Sequence, residues 1–196
     1  MRLQLKTWIE VEEYLKTRNG IIIPIGSTEQ HGPIGLIGTD AICPEVIAGM
    51  AADEIGAMIG PTISVGMAQH HLAFPGSIAL RPSTLIAVIK DYVLSLARNG
   101  FERFYFLNGH GGNIASVNAA FSEIHSERSF EKNSARPAIR CRLANWFQFD
   151  AVKALSTEFY ADREGSHATP SEVAVTQFAY PDYIKTAEME RAPDRL

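Results

Sequence analysis

Apolar residues along this chain follow two rhythms, helical spacing and short unbroken runs, and the two alternate. Trp8, Val11 and Leu15 recur on one helical face, and Thr7 precedes Glu10 by three residues, which predicts a helix over Trp8 to Leu15 opened by a capping box and stopped at Asn19-Gly20. Ile21-Ile22-Ile23-Pro24-Ile25 is apolar at successive positions, as a strand buried on both faces between helix layers requires. A Gly- and Pro-rich loop over residues 26–42 then leads into a helix from about Pro44 to Ala57. Thr62 to Gly66 reads as a second strand, followed by a loop carrying His70, His71 and Phe74-Pro75-Gly76. Pro82-Ser83 opens a helix with Leu85, Ile89, Tyr92 and Leu96 on one stripe and Asn99-Gly100 as its stop. Phe104 to Leu107 is a third strand, and the helix after it turns Val117, Ala120, Phe121 and Ile124 inward. The polar stretch Glu127 to Arg136 reads as a surface loop, Ala138 to Ala144 as a fourth strand, and helices are expected at Phe147 to Leu155 and at Pro170 to Phe178.

Strands alternating with helices predict an α/β fold, a three-layer α/β/α sandwich with a mainly parallel central sheet. In such sheets ligands bind beyond the carboxyl ends of the strands, so the loops after Ile25, Gly66 and Leu107 are where chemistry is expected. A length of 196 residues suits one domain over residues 1–196. The formal net charge of −4 argues against a dedicated nucleic-acid binder. No apolar run approaches the roughly 20 residues of a membrane span, and Met1 to Lys6 has no signal-peptide pattern, so cytoplasm is the expected address. Cys43 and Cys141 are too far apart for a CxxC site and lack basic neighbours, so both are expected to be buried, reduced thiols.

The predicted loops hold most of the histidines. Glu29 and His31 are two residues apart, which in extended backbone turns both side chains to one side, within reach of one ion. Asp40 closes the same loop, either to bridge to a second ion or to cap the next helix. His110 stands among Gly109, Gly111 and Gly112, which let backbone approach a ligand, and His167 and Glu172 lie five apart at the start of the last helix. Two or more histidines with three carboxylates suit one or two divalent ions with mixed nitrogen and oxygen ligands. Taken singly, Glu29 reads as a solvated loop carboxylate and His31 as a hydrogen-bonded loop histidine. One of His70 and His71 is expected to be structural, because alternation would point them apart, and His125 to lie on the surface. A phosphate-cradling role for Gly109 to Gly112 is the rival reading, but the spacing matches neither GxGxxG nor a Walker loop.

The run Ile23-Pro24-Ile25-Gly26-Ser27-Thr28-Glu29-Gln30-His31-Gly32-Pro33, continued by Gly38-Thr39-Asp40, resembles the first signature of the creatininase (creatinine amidohydrolase) family. Phe74-Pro75-Gly76-Ser77, Asn108-Gly109-His110-Gly111-Gly112-Asn113 and His167-Ala168 with Glu172 follow in the family's order. The resemblance implies two divalent metal ions per chain, zinc or manganese, in a homo-oligomer, often a hexamer. By position, Glu29 and His110 would hold one ion, His31 the other, and Asp40 would bridge them. Creatininase has a glutamate where this chain has Gly112, and Glu172 is expected to replace it. His167 matches a proton-transferring histidine and His71 a pocket-lining one, with the Gly111-Gly112 turn beside the substrate.

The activity so implied is hydrolysis of a non-peptide C–N bond in a small-molecule amide, cyclic or formyl, by a water activated between the two ions. The alternative is a catalytically impaired metal- or ligand-binding member of the same fold. Gly112 argues against creatinine as the substrate, and a chain ending at Leu196 looks short for the family.

Overall fold

The computed structural model describes residues 1–130 and 139–187. Four strands, β1 (Gly20–Ile25), β2 (Met58–Ile59), β3 (Arg103–Asn108) and β4 (Arg140–Asn145), form one sheet in the order β2-β1-β3-β4. Every pairing is parallel, with Ile21 opposite Met58, Ile25 opposite Asn108, and Asn108 opposite Asn145. Among the described residues the six helices are α1 (Trp8–Leu15), α2 (Thr39–Ile55), α3 (Pro82–Arg98), α4 (Ile114–Phe130), α5 (Asp150–Tyr160) and α6 (Pro170–Ala179).

The two-residue period of the strands sorts their side chains between two cores. Ile21, Ile23 and Ile25 of β1 and Phe104 and Phe106 of β3 pack against Leu85, Ile89 and Val93 of α3 and Val117, Phe121 and Ile124 of α4. On the other face, Ile22, Tyr105 and Leu107 meet Cys43, Ala48 and Ala52 of α2, with Val152 of α5 and Val175 of α6. Cys43 is fully buried and Cys141 half-buried, both as free thiols, so the expected burial holds in full only for Cys43. The Thr7–Glu10 capping box on α1 is formed in both directions. No helix among the described residues is long and apolar enough to cross a membrane.

Several boundaries differ from the sequence reading; α5 runs over Asp150–Tyr160 rather than Phe147 to Leu155, because Trp146–Gln148 forms a separate 3-10 turn. The second strand is Met58–Ile59 rather than Thr62 to Gly66. Pro61 has no N–H for the ladder, so the chain beyond it pairs with β1 only at the isolated Ile25–Ile63 bridge. Helix α4 continues through Phe130, which makes Glu127 to Phe130 helical, while residues 131–136 of the expected loop and Ala138 lie outside the described residues. Helix α2 starts at Thr39, five residues before Pro44, so Asp40 lies inside its first turn and does not cap it; Gly38 is the N-cap and has no side chain to do so.

Candidate metal centre

Strand β1 has β2 on one side and β3 on the other, so the chain direction divides between β1 and β3. Their carboxyl ends open the crevice where α/β sheets bind ligands. Helix α2 starts there. A Cβ at Gly26 or Gly109 would lie 2.1 or 2.0 Å from the Asp40 carbonyl oxygen, so only glycine after each strand lets the first turn of α2 settle between them. Pro44, which has no N–H, removes the donor that would otherwise bond the Asp40 carbonyl from the next turn. Asp40 is thereby wedged between Glu29 and His31 from the β1 loop and His110 from the β3 loop.

His31 Nε2 lies 2.9 Å from Asp40 Oδ1, and His110 Nδ1 lies 2.9 Å from Asp40 Oδ2. Glu29 Oε1 faces His71 Nε2 at 3.2 Å, His110 Nδ1 at 3.4 Å and His167 Nδ1 at 3.8 Å. Glu29 is 0% exposed, yet among the described residues neither of its carboxylate oxygens has a hydrogen-bond partner. Buried carboxylate oxygens without donors are costly unless a cation meets them. The imidazoles are oriented from behind. His31 Nδ1 donates to the Glu29 carbonyl at 3.0 Å and His110 Nε2 to the Met67 carbonyl at 2.8 Å. A carbonyl only accepts, so the other nitrogen of each ring is the one turned to the carboxylates, an arrangement typical of metal-ligating histidines.

Three groups present ligand atoms within 4.8 Å of one another: Glu29, His70 and His110; Glu29, His31 and His167; and His31, Asp40 and Glu172. Glu172 joins this cluster from the far end of the chain. One of its oxygens, Oε2, accepts from the Thr169 N–H at 2.8 Å in a capping box on α6, while Oε1 has no hydrogen-bond partner among the described residues. Gly112, where the resemblance leads one to look for a glutamate, has no room for a side chain: a Cβ there would lie 2.4 Å from His110 Nε2 and 2.6 Å from the Met67 carbonyl oxygen. Gly111 beside it faces open space.

The charges are strongly coupled. Burial and the neighbouring Asp40 raise the Glu29 carboxyl to about 7. Burial works against a charged His31, but the hydrogen bond and charge of Asp40 outweigh it and lift His31 to about 9. For His110 burial is likewise outweighed by Asp40 and Glu29, and it too is raised. Asp40, despite burial, is held below the usual carboxylate range by His110 and His31. Burial and the surrounding imidazoles lower His71 to about 4, and burial with the His31 charge lowers His167. Burial raises Glu172. Without a cation, then, His31 carries a proton opposite Asp40 and Glu29 is partly protonated near neutral pH.

A cavity of about 770 Å³ opens in front of this cluster and is lined by Glu29, Asp40, His70, His71, His110, Gly111, Gly112, His167 and Glu172, with Lys153, Ser156 and Thr157 of α5 on the opposite wall. Both His70 and His71 line it. They sit on a 3-10 turn (Gln69–His71) with ring centroids 4.2 Å apart, so the alternation expected of an extended segment does not apply. His125 is exposed on α4. Among the described residues the two of positive φ other than glycine, Ala161 and Ala168, both fall in the segment that carries His167 into the cavity.

Several supporting residues escaped the sequence reading. The Gln30 Oε1 accepts from the Gly32 N–H at 3.0 Å, which puts its amide nitrogen 3.1 Å from His71 Nδ1 and 2.9 Å from His167 Nε2. The Asn113 amide donates to the Gly26 carbonyl at 2.9 Å while its oxygen accepts from the Met67 N–H at 3.0 Å, which places the carbonyl that orients His110. Buried amides flanking a run of glycines, Asn108 and Asn113, were a usable signal. Met67 contributes only backbone and left none.

The fold and site therefore define an α/β protein with a buried histidine–carboxylate cluster whose groups could hold a metal ion. The family model described as creatinine amidohydrolase matches residues 4–195, and the chain belongs to the creatininase family. It is 32% identical over 113 residues to a mycofactocin precursor peptide peptidase of Mycolicibacterium smegmatis, covering 55% of this chain and 45% of that protein. It is 30% identical over 185 residues to a 3-dehydro-scyllo-inosose hydrolase of Thermotoga maritima, covering 94% of this chain and 53% of that protein. The chain thus spans about half the length of these curated relatives. A solved structure titled "Creatininase Mn" superposes with a TM-score of 0.82 at 23% identity, over 94% of this chain and 74% of that one, a likeness of fold.

Proposed function

We propose that this chain is a metal-dependent amidohydrolase that cleaves a C–N bond of a small-molecule amide, cyclic or formyl, with two divalent ions, zinc or manganese. The observation that carries the reading is the pair of buried Glu29 carboxylate oxygens without a hydrogen-bond partner among the described residues, beside imidazole nitrogens turned toward Glu29 and Asp40. Glu29 and His110 would hold one ion and His31 and Glu172 the other, with Asp40 between them. Glu172 takes the place of a ligand that the packing at Gly112 leaves no space to carry. When bound, such ions supply Lewis acidity and bring the pKa of water toward neutrality.

The chain's own groups do the rest. His167 donates its Nε2 proton to the Gln30 carbonyl at 2.8 Å, which leaves Nδ1 free on the cavity side. Because burial and His31 hold its pKa below the ordinary value, this nitrogen is unprotonated near neutral pH. It can take the proton of the attacking water and return it to the departing nitrogen, which leaves poorly without one. His71 orients the substrate, and backbone amides of the Gly111-Gly112 turn face the developing oxyanion. The reading includes assembly as a homo-oligomer, for which exposed Leu5, Trp8 and Ile9 supply apolar surface.

The test combines metal analysis with product release from a panel of cyclic amides and formamides under zinc or manganese. Two ions per chain and release of amine, ammonia or formate are expected. Glu29→Gln should lose metal, whereas His167→Ala should retain metal and lose turnover by about 10²-fold or more. Metal content below one ion per chain defeats the proposal, and two tightly bound ions with no turnover on any substrate would indicate a binding member of the family.

A further inference from the structure

Of the five histidines in the cluster, four have a ring nitrogen held by a hydrogen bond: His31 by the Glu29 carbonyl, His110 by the Met67 carbonyl, His167 by the Gln30 carbonyl, and His71 by the Gln30 side chain. His70 differs. It lies on the exposed side of the 3-10 turn, and among the described residues its nitrogens make no hydrogen bond; its neighbours are the His71 ring at 4.2 Å and the His110 ring at 6.0 Å, the latter nearly parallel at 12°. Yet a His70 ring nitrogen lies within 4.8 Å of ligand atoms of both Glu29 and His110.

We infer that His70 is an exchangeable protein ligand of the ion held by Glu29 and His110. The inference rests on the metal-dependent reading above and extends it to a residue that reading does not use. With Asp40 between the two ions, Glu29, Asp40 and His110 supply three protein donors to the first one. Three donors leave a coordination position open, as catalytic sites do, and a fourth closes the shell, as structural sites do. A ligating imidazole is ordinarily anchored through its second nitrogen. His70 has no such anchor, so its ring can turn toward the ion and back to solvent at little cost. His70 would therefore close the shell of an ion on Glu29 and His110 when turned inward and leave a position to water or substrate when turned outward, whereas the histidine beside His31, His167, is anchored through Nε2 by the Gln30 carbonyl.

The experiment measures loss of zinc from the fully loaded protein into excess chelator, for wild type, His70→Ala and His70→Gln, with cobalt-substituted protein followed by its visible absorption. His70 is exposed, so neither substitution disturbs the core. The expected result is two kinetic classes of ion in the wild type, with one class leaving at least about tenfold faster in His70→Ala, the order of effect that partners of metal ligands exert on affinity. The other class should be unchanged, and the cobalt bands should change in His70→Ala. Unchanged release of both classes overturns the inference and leaves the metal-dependent reading intact. Equal acceleration of both also overturns it, since that is general loosening. If the wild type retains no zinc, the metal-dependent reading itself fails and the inference with it.

Discussion

At Gly112 the absence of a side chain is a requirement, not an omission. The Cβ of Gly112→Ala would be driven against the hydrogen bond from His110 to the Met67 carbonyl. Overpacking of this kind costs about 1–3 kcal/mol. The variant should therefore unfold at lower denaturant concentration and bind one ion more weakly, as equilibrium unfolding and zinc titration will show; unchanged binding would mean that Met67 does not orient His110. The titrations of Glu29 and His31 make a second prediction. Binding a cation requires Glu29 ionised and His31 neutral, but without one Glu29 is raised to about 7 and His31 to about 9. Metal and protons therefore compete: affinity rises with pH up to about 9 and falls steeply below about 7. Adding zinc to weakly buffered apoprotein at neutral pH should release protons, and a titration that consumes or releases none contradicts these assignments.

Among the elements, α6 couples secondary structure most directly to the site. Its capping box uses Glu172 Oε2, and a Glu172 carboxylate oxygen lies within 4.8 Å of ligand atoms of His31 and Asp40, so one residue both starts the helix and faces the cluster. Thr169→Ala should cost about 1 kcal/mol of stability, the usual value of such a cap. It should also weaken the ion assigned to His31, Asp40 and Glu172, while Thr169→Ser keeps both. Stability loss without any change in metal affinity would separate the cap from the site. Helix α2 shows how such placement arises. Asp40 was legible as a loop-closing carboxylate, but its position within the helix depends on Gly26 and Gly109 allowing the helix to start at Thr39, an approach between three backbones that no single segment encodes.

In the whole molecule, two cores hold the parallel sheet so that the loops after β1 and β3 converge on one end. Phe106, fully buried on β3, packs in the core shared by β1, α3 and α4, its ring centroid 5.2 Å from that of Phe121. Phe106→Ala should lower unfolding free energy by about 3–5 kcal/mol, measurable by denaturant titration, since it removes a large side chain from a core that collapses only in part. A loss under 1 kcal/mol would mean that the layer closes over the cavity. The alternation of strands and helices and the two-face burial of β1 and β3 were readable because each depends on local spacing. The second strand was misplaced because Pro61 ends ladder pairing at a point where the apolar pattern continues.

The sequence by itself determined the α/β architecture, the loops that carry chemistry, and the residue types in them, since hydrophobic period, glycine and ligand chemistry are properties of short segments. Tertiary structure decided which of those residues meet. Glu172 reaches His31 and Asp40 across more than 130 positions of chain, and His70 comes beside His110 only because a 3-10 turn replaces an extended segment. The groups that orient the imidazoles are largely backbone carbonyls, at Glu29, Gln30 and Met67, and a carbonyl leaves no mark on the identity of the residue that carries it.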